Sequence, residues 1–317
     1  MKRFEADITL GLPEATKSFA LFKAKKWDEL ASLLEPLHPE QQILCCDTIC
    51  QKSFDAAPGI KAFHQSAPNN PTANVVTAYT LSRLAMDARG GARAQDTSNK
   101  QYENYYQRFY ETREFIDHAT EVAPNSPLPA YALILGCEPY GIGLQDVFEL
   151  HRQMHTVCPD FLTGSIALLT LACEKWFGSH DIMFEIARDL AAQTEDFPFG
   201  VTLIAAAHIE RWLHYAAFEN NQYAADAYLK SPAVREELEA AFAQAMPLSQ
   251  EVDSWQNTCF YNHFAMAFYL VNDAPKAAGL LKLIQNRITI RPWCYYNADH
   301  VKCALDIRQQ LGLKRRP

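Results

Sequence analysis

The sequence predicts an all-α fold, a right-handed stack of helical hairpins, and three observations predict it. Apolar residues recur at helical spacing through most of the 317 residues. No segment keeps a convincing period of two, so strand signals are nearly absent. Helix-sized segments also repeat. Pro124 followed by Ala132-Leu133-Ile134 matches Pro159 followed by Ala167-Leu168-Leu169 at an offset of 35 residues, and Pro198 leads to Ala206 at a further offset of 39.

Residues 1–12 read as a short extended segment. Phe19-Ala20-Leu21-Phe22, then Trp27, Leu30, Leu33 and Leu34, form two apolar stripes about the polar elbow Lys23–Lys26. This is a helical hairpin, with Asp28 and Glu29 in the first turn of its second helix, where carboxylates meet the positive end of the dipole. Pro39-Glu40 opens a helix reaching Phe54 and carrying Cys45, Cys46 and Cys50. A connection containing Pro58, Pro68 and Pro71 precedes a helix from Thr72 to Asp87. The run Ala88–Asn99 has two adjacent glycines and no apolar residue larger than alanine. It reads as a mobile loop or a seam, dividing N-terminal hairpins (1–98) from a repeat array (99–317), with one continuous domain as the alternative. Beyond it Pro124, Pro159, Pro198, Pro247 and Pro292 each stand near the start of an apolar helix.

The most regular stretch is Lys175–Gln193, KWFGSHDIMFEIARDLAAQ. Trp176 and Phe177 are expected to close one helix, and Gly178 to supply a one-residue, positive-φ break. Ser179 then caps the next helix, with Asp181 in its first turn. Ile182, Met183, Ile186, Ala187, Leu190 and Ala191 form its buried stripe. The N-terminal hairpin also aligns with a distant one. Ala20-Leu21-Phe22 and Trp27–Leu34 match Ala267-Phe268-Tyr269 and Ala274–Leu281, with small residues where helices approach and paired leucines where they bury.

Periods in the middle thirties with two helices each are those of tetratricopeptide-type arrays. The elbow W-F-G-S at Trp176–Ser179, followed by Ala205–Trp212 with His208 and Glu210, is similar to a signature of poorly characterised bacterial proteins of that kind. The chain thus resembles a divergent tetratricopeptide-like α-solenoid over Asn99–Leu311, with one further hairpin near the N-terminus. The resemblance implies the fold. Such families bind proteins or peptides on a concave surface, which makes a protein or peptide partner the expectation here.

Composition narrows the function classes. A net charge of −8 and a pI near 5.7 argue against nucleic acid, because phosphate binding wants a basic face. Lys314-Arg315-Arg316, the only basic run, reads as a solvated tail. No stretch reaches the run of roughly eighteen apolar residues that a membrane helix needs, and Met1–Leu12 does not resemble a secretory leader. Nine cysteines, an odd number scattered through helical pattern, read as reduced thiols of a cytoplasmic protein.

Several constellations invite chemistry. His151, His155 and Cys158 fall at i, i+4 and i+7 in the helix Leu144–Val157, and such nitrogen and sulfur donors can hold zinc. No fourth ligand and no metalloprotease glutamate accompany them, so an ordinary helix face, no cofactor and no stoichiometric metal are expected. Gly178-Ser179-His180-Asp181 holds the residue types of a hydrolase triad, but contiguously, and capping explains Ser179 better. His208 and Glu210, in the apolar helix Val201–Phe218, point to different faces; the reading is a hydrogen-bonded buried histidine, with Glu210 and His214 one turn apart and within pairing reach. Cys45, Cys46 and Cys50 match no metal or redox spacing and read as core. Tyr102, Tyr105, Tyr106, Phe109 and Tyr110 form an aromatic face on the helix after the glycine-containing loop. Packing explains such a stripe, yet tyrosines at the end of an array also suit recognition, and two or more of the four are expected in solvent. The reading is therefore an intracellular, protein-binding helical-repeat protein in which no catalytic site is identified. Its rivals are a toxin-neutralising immunity protein of bacterial competition and an enzyme built around His208 and Glu210.

Overall fold

A computed structural model describes residues 6–92, 94–251, 255–297 and 299–314, with the side chains of 250 and 251 excluded. Among the described residues the chain is helical throughout, with seventeen α-helices and no strand. Contacts divide it into two compact units, Leu12–Gly164 and Met1–Gly11 with Ser165–Pro317. This boundary lies inside a helix, away from the glycine-containing connector.

The first unit contains α1 (Pro13–Lys23), α2 (Trp27–Leu34), α3 (Pro39–Lys52), α4 (Ala57–Ser66) and α5 (Pro71–Arg89). It continues with α6 (Asn99–Val122), α7 (Leu128–Leu135), α8 (Cys137–Tyr140) and α9 (Leu144–Val157). Helix α10 (Leu162–Leu171) carries the boundary. The second unit holds α11 (His180–Ala191), α12 (Thr202–Leu213), α13 (Gln222–Leu229) and α14 (Pro232–Glu251). It ends with α15 (Trp255–Leu270), α16 (Ala274–Ile284) and α17 (His300–Gln310).

In the first unit α1 packs on α3, α3 on α5, and α5 on α7, while α6 lies along α5. Helix α5 is buried nearly all round, Thr72–Ser82 without a break, because α3, α4, α6 and α7 all pack against it. The connector Ala88–Asn99 therefore joins two tightly packed helices. Gly90 takes φ 78°, Gln101 Nε2 donates to Arg89 O at 2.9 Å, and Ser98 caps α6 in a capping box with Gln101. In the second unit α12 packs on α11, α14 and α15, and α15 on α16. Phe260, Phe264 and Phe268 of α15 are fully buried and cluster with Phe242 of α14, ring centroids 5.2 to 5.6 Å from it. Truncating any of the three to alanine costs about 3–5 kcal/mol.

One turn recurs. Lys25 and Asn272, which the hairpin alignment superposes, are both left-handed, at φ 55° and 62°. The following amides reach back across six residues, Lys26 N to Leu21 O at 3.0 Å and Asp273 N to Phe268 O at 2.8 Å. Asn220 at φ 52° does the same after α12, one residue wider because α12 ends in the π-turn His214–Phe218. Gly141 and Gly312 close α8 and α17 with the same six-residue bond. The motif ends a helix by satisfying its last carbonyls.

Several sequence expectations change. Residues 8–11 form a turn around the Asp7 carboxylate rather than an extended segment. The Pro58 region is helix α4, since proline is tolerated in a first turn. Pro247 lies inside α14 rather than at a helix start. Helix α10 ends at Leu171, so Trp176 and Phe177 sit in a seven-residue turn, half-exposed. Gly178 is not left-handed. It is glycine because a Cβ there would lie 2.1 Å from the carbonyl oxygen of Ala172. Gly279, by contrast, has open space where a Cβ would go, so it marks no close approach. The stretch from Ser179 onward largely agrees with the sequence reading: Ser179 Oγ accepts from Ile182 N at 3.2 Å, and Met183, Ile186, Ala187, Leu190 and Ala191 are buried, while Ile182 is only partly so. Arg315 and Arg316 lie outside the described residues.

Candidate functional site

Two X-Pro-acid tripeptides meet in the first unit. A residue before proline is kept out of the helical region, so each tripeptide presents its first side chain beside a helix start. His38-Pro39-Glu40 opens α3, and Cys158-Pro159-Asp160 stands between α9 and α10. His38 caps α3, its Nδ1 accepting from Glu40 N at 3.3 Å. Its Nε2 faces Asp160 Oδ1 at 3.2 Å and Cys158 Sγ at 3.3 Å, and Cys158 Sγ donates to Asp160 Oδ1 at 3.4 Å. Glu40 is 1% exposed. Its Oε1 accepts from Thr163 N at 2.8 Å and Thr163 Oγ1 at 3.3 Å, capping the first turn of α10. Its Oε2 has no hydrogen-bond partner and lies 3.9 Å from His38 Nδ1.

The electrostatics follow from that burial. Desolvation pushes Glu40 up to about 7, against the pull of His38 and the Thr163 donors. For His38 burial acts downward, but the hydrogen bond to Asp160 and the charges of Glu40 and Asp160 outweigh it and raise the imidazole. Asp160 is lowered, chiefly by its hydrogen bond with His38. The Cys158 thiol is pushed up by burial and by Asp160.

The sequence grouped Cys158 with His151 and His155. Cys158 is the residue after α9, at φ −150° and ψ 82°, so the helical phase that would align it with the histidines has ended. It meets His38 and Asp160 instead. His151 and His155 stack on each other at 5.8 Å, and burial lowers His151 to about 4. Among the described residues His38, Cys158 and Asp160 are the one His/Cys/Asp/Glu group whose ligand atoms converge, all within 4.8 Å.

In the second unit His208 and Glu210 belong to separate networks. His208, 3% exposed, meets Tyr228 OH through Nδ1 at 2.6 Å and Glu237 Oε2 through Nε2 at 3.2 Å. Glu237 also takes a two-toothed pair from Arg188, and donors from His208 and Arg188 lower it to about 2. Glu210 accepts from Lys175 Nζ at 2.5 Å, and that ammonium lies 4.8 Å from the Tyr295 ring centroid. The suggested Glu210–His214 pair is not formed; His214 faces Glu219 instead, at 3.2 Å. A cavity of about 10 Å³ beside Glu210, bordered by Thr170, His263, Arg291 and Tyr295, holds a water at most.

The aromatic face is mostly packing. Tyr105 and Phe109 are buried with Ala85, while Tyr102, Tyr106 and Tyr140 pack partly against them. Tyr106 OH donates to Glu138 Oε1 at 3.2 Å. Tyr110 is 61% exposed, its ring 6.3 Å from that of Tyr106. The expectation of two tyrosines in solvent is met by Tyr110 alone, because a stripe of this breadth wraps beyond the single face that α6 turns outward. Ser179 is a cap and His180 packs edge-on against His214, so Gly178–Asp181 forms no triad. All nine cysteines are free thiols; Cys45 and Cys46 are buried, Cys50 partly so.

No protein-family model matches the sequence, and no curated protein matches it either. No described helix is long and apolar enough to cross a membrane.

Proposed function

We propose that the chain is a tetratricopeptide-like helical-repeat protein that acts by binding a protein or peptide. The observation that carries this reading is the recurring left-handed turn at Lys25, Asn220 and Asn272, with equivalent amides bonding equivalent carbonyls at Lys25 and Asn272. Repetition of one hairpin, with α1, α3, α5 and α7 stacked in succession, is how repeat arrays build a long surface from short units. Such a surface recognises partners through large side chains that packing leaves free. Tyr110 is such a side chain, with the partly buried Tyr102 and Tyr106 on the same helix, and Tyr105 serves as buried support.

An enzymatic site around His208 and Glu210 has less support. Each is held in its own salt-bridged network, and the cavity beside Glu210 is about 10 Å³, with His208 outside its lining. The test compares Y110A with wild type in affinity capture from the native host and in thermal melting. The reading expects a stoichiometric partner that Y110A loses while its melting temperature stays within a degree or so. Equal capture by both proteins would remove Tyr110 from the binding surface.

A further inference from the structure

Three different donor atoms converge in the first unit, and one buried acid beside them is left half-satisfied. We propose that His38 Nε2, Cys158 Sγ and Asp160 Oδ1 form one face of a tetrahedral site for zinc or a similar late divalent ion, with Glu40 orienting His38 from behind. A sulfur, an imidazole nitrogen and a carboxylate oxygen are the donor set such ions prefer.

The geometry fits closely. Zinc bonds of about 2.0–2.1 Å to nitrogen and oxygen and about 2.3 Å to sulfur, at tetrahedral angles, put donors roughly 3.4 Å apart for N···O and roughly 3.6 Å for S···N or S···O. The three separations here are 3.2, 3.3 and 3.4 Å, so the triangle opens by a few tenths of an ångström to take the ion. The His38 and Asp160 side chains are 30% and 43% exposed, which gives the ion a path in and leaves the fourth position to water.

Hydrogen bonds alone account for the three distances. They do not account for Glu40. Its Oε2 is a buried carboxylate oxygen with no donor, a costly arrangement in a packed interior. In the neutral imidazole Nδ1 accepts from Glu40 N, which leaves the proton on Nε2. An ion on Nε2 requires that proton to move to Nδ1, which then gives up the Glu40 N–H it accepts and must turn toward the carboxylate whose Oε2 is 3.9 Å away. Metal-bound histidines commonly donate their other N–H to a carboxylate in this way. Cys158 loses its thiol proton to solvent as the S–metal bond forms, so one proton is released per ion when His38 starts neutral.

The experiment titrates the chelator-treated full chain with cobalt(II), then zinc(II), following absorbance. One equivalent of cobalt should give tetrahedral visible bands and a thiolate-to-cobalt charge-transfer band, and zinc should displace both. C158S should abolish the charge-transfer band, H38A and D160A should each weaken binding at least tenfold, and H155A should leave it unchanged. E40Q keeps an oxygen for Thr163 but offers His38 no second acceptor, so it should weaken binding on the order of 10–100-fold. Circular dichroism of each variant shows that it is folded, and C158S, which changes one atom, keeps the test decisive if H38A is not. Binding below one equivalent, a cobalt spectrum without the thiolate band, or affinity indifferent to C158S would each overturn the site. None of these results bears on partner binding through Tyr110.

Discussion

Replacing Gly178 with alanine should destabilise the protein markedly, although the change adds a single methyl group. The added Cβ would stand 2.1 Å from Ala172 O, 2.7 Å from Ala172 C and 3.0 Å from Ala172 Cα. These are backbone atoms at the end of α10, so no rotamer change relieves the clash. A non-bonded carbon and oxygen need roughly 3.3 Å, so the turn must move by about 1 Å. That movement breaks the bonds that define the turn: Phe177 N to Leu171 O at 3.1 Å, Trp176 N to Cys173 O at 3.0 Å, and the Ser179 cap on Ile182 N at 3.2 Å. At about 1 kcal/mol for each bond and for the cap, the loss is about 2–4 kcal/mol. Gly279 is the matched control. It lies within α16 with open space at its Cβ position, and there alanine should stabilise by about 0.5–1 kcal/mol. Urea unfolding of G178A and G279A should therefore shift the midpoint in opposite directions. A G178A midpoint equal to that of wild type would refute the steric argument.

Removing Lys175 should leave Glu210, 3% exposed, as an unpaired buried charge. K175M is expected to cost on the order of 3 kcal/mol, with K175M/E210M recovering most of it; an additive double variant would mean the pair is not coupled. His263 is lowered by burial to about 4, so the native state binds fewer protons than the unfolded chain below the ordinary histidine value of 6.5. Its contribution is present above 6.5 and is lost as pH falls toward 4, up to about 3 kcal/mol. Glu40, raised to about 7, acts in the opposite sense between 7 and 4.5, so the informative quantity is wild-type stability minus that of H263Q. That difference should fall between pH 6.5 and 4; a constant difference would show that His263 titrates normally. Tyr105, 3% exposed, should cost about 3 kcal/mol or more as Y105A, while Y110A should cost under 1 kcal/mol. Equal losses would contradict the burial difference between them.

Helices with clean stripes were legible because their signals are local. Trp27, Leu30 and Leu34 announce α2, and Leu144–Val157 coincides with α9. The hairpin alignment was legible too, and its turn residues Lys25 and Asn272 superpose. Gly178 was located for the wrong reason: glycine serves both positive φ and close backbone approach, and the residue letter does not distinguish them. Helix α4 was hidden because proline signals both a turn and a first helical turn. The cluster at Cys158 was hidden by distance, since His38 lies 120 residues earlier in the chain. A local signal did exist in the paired tripeptides His38-Pro39-Glu40 and Cys158-Pro159-Asp160. Nothing in either tripeptide says that they meet. The aromatic stripe on α6 was visible, but how much of it neighbouring helices cover depends on packing that no local pattern encodes.

The most direct test of the binding reading is affinity capture from the native host with wild type, Y110A and Y105A in parallel, each with its melting temperature measured. The account predicts one stoichiometric partner on wild type, lost from Y110A at unchanged stability, with Y105A losing stability first. A wild-type chain that captures no stoichiometric protein, or a Y110A chain that captures the same one equally well, would contradict it.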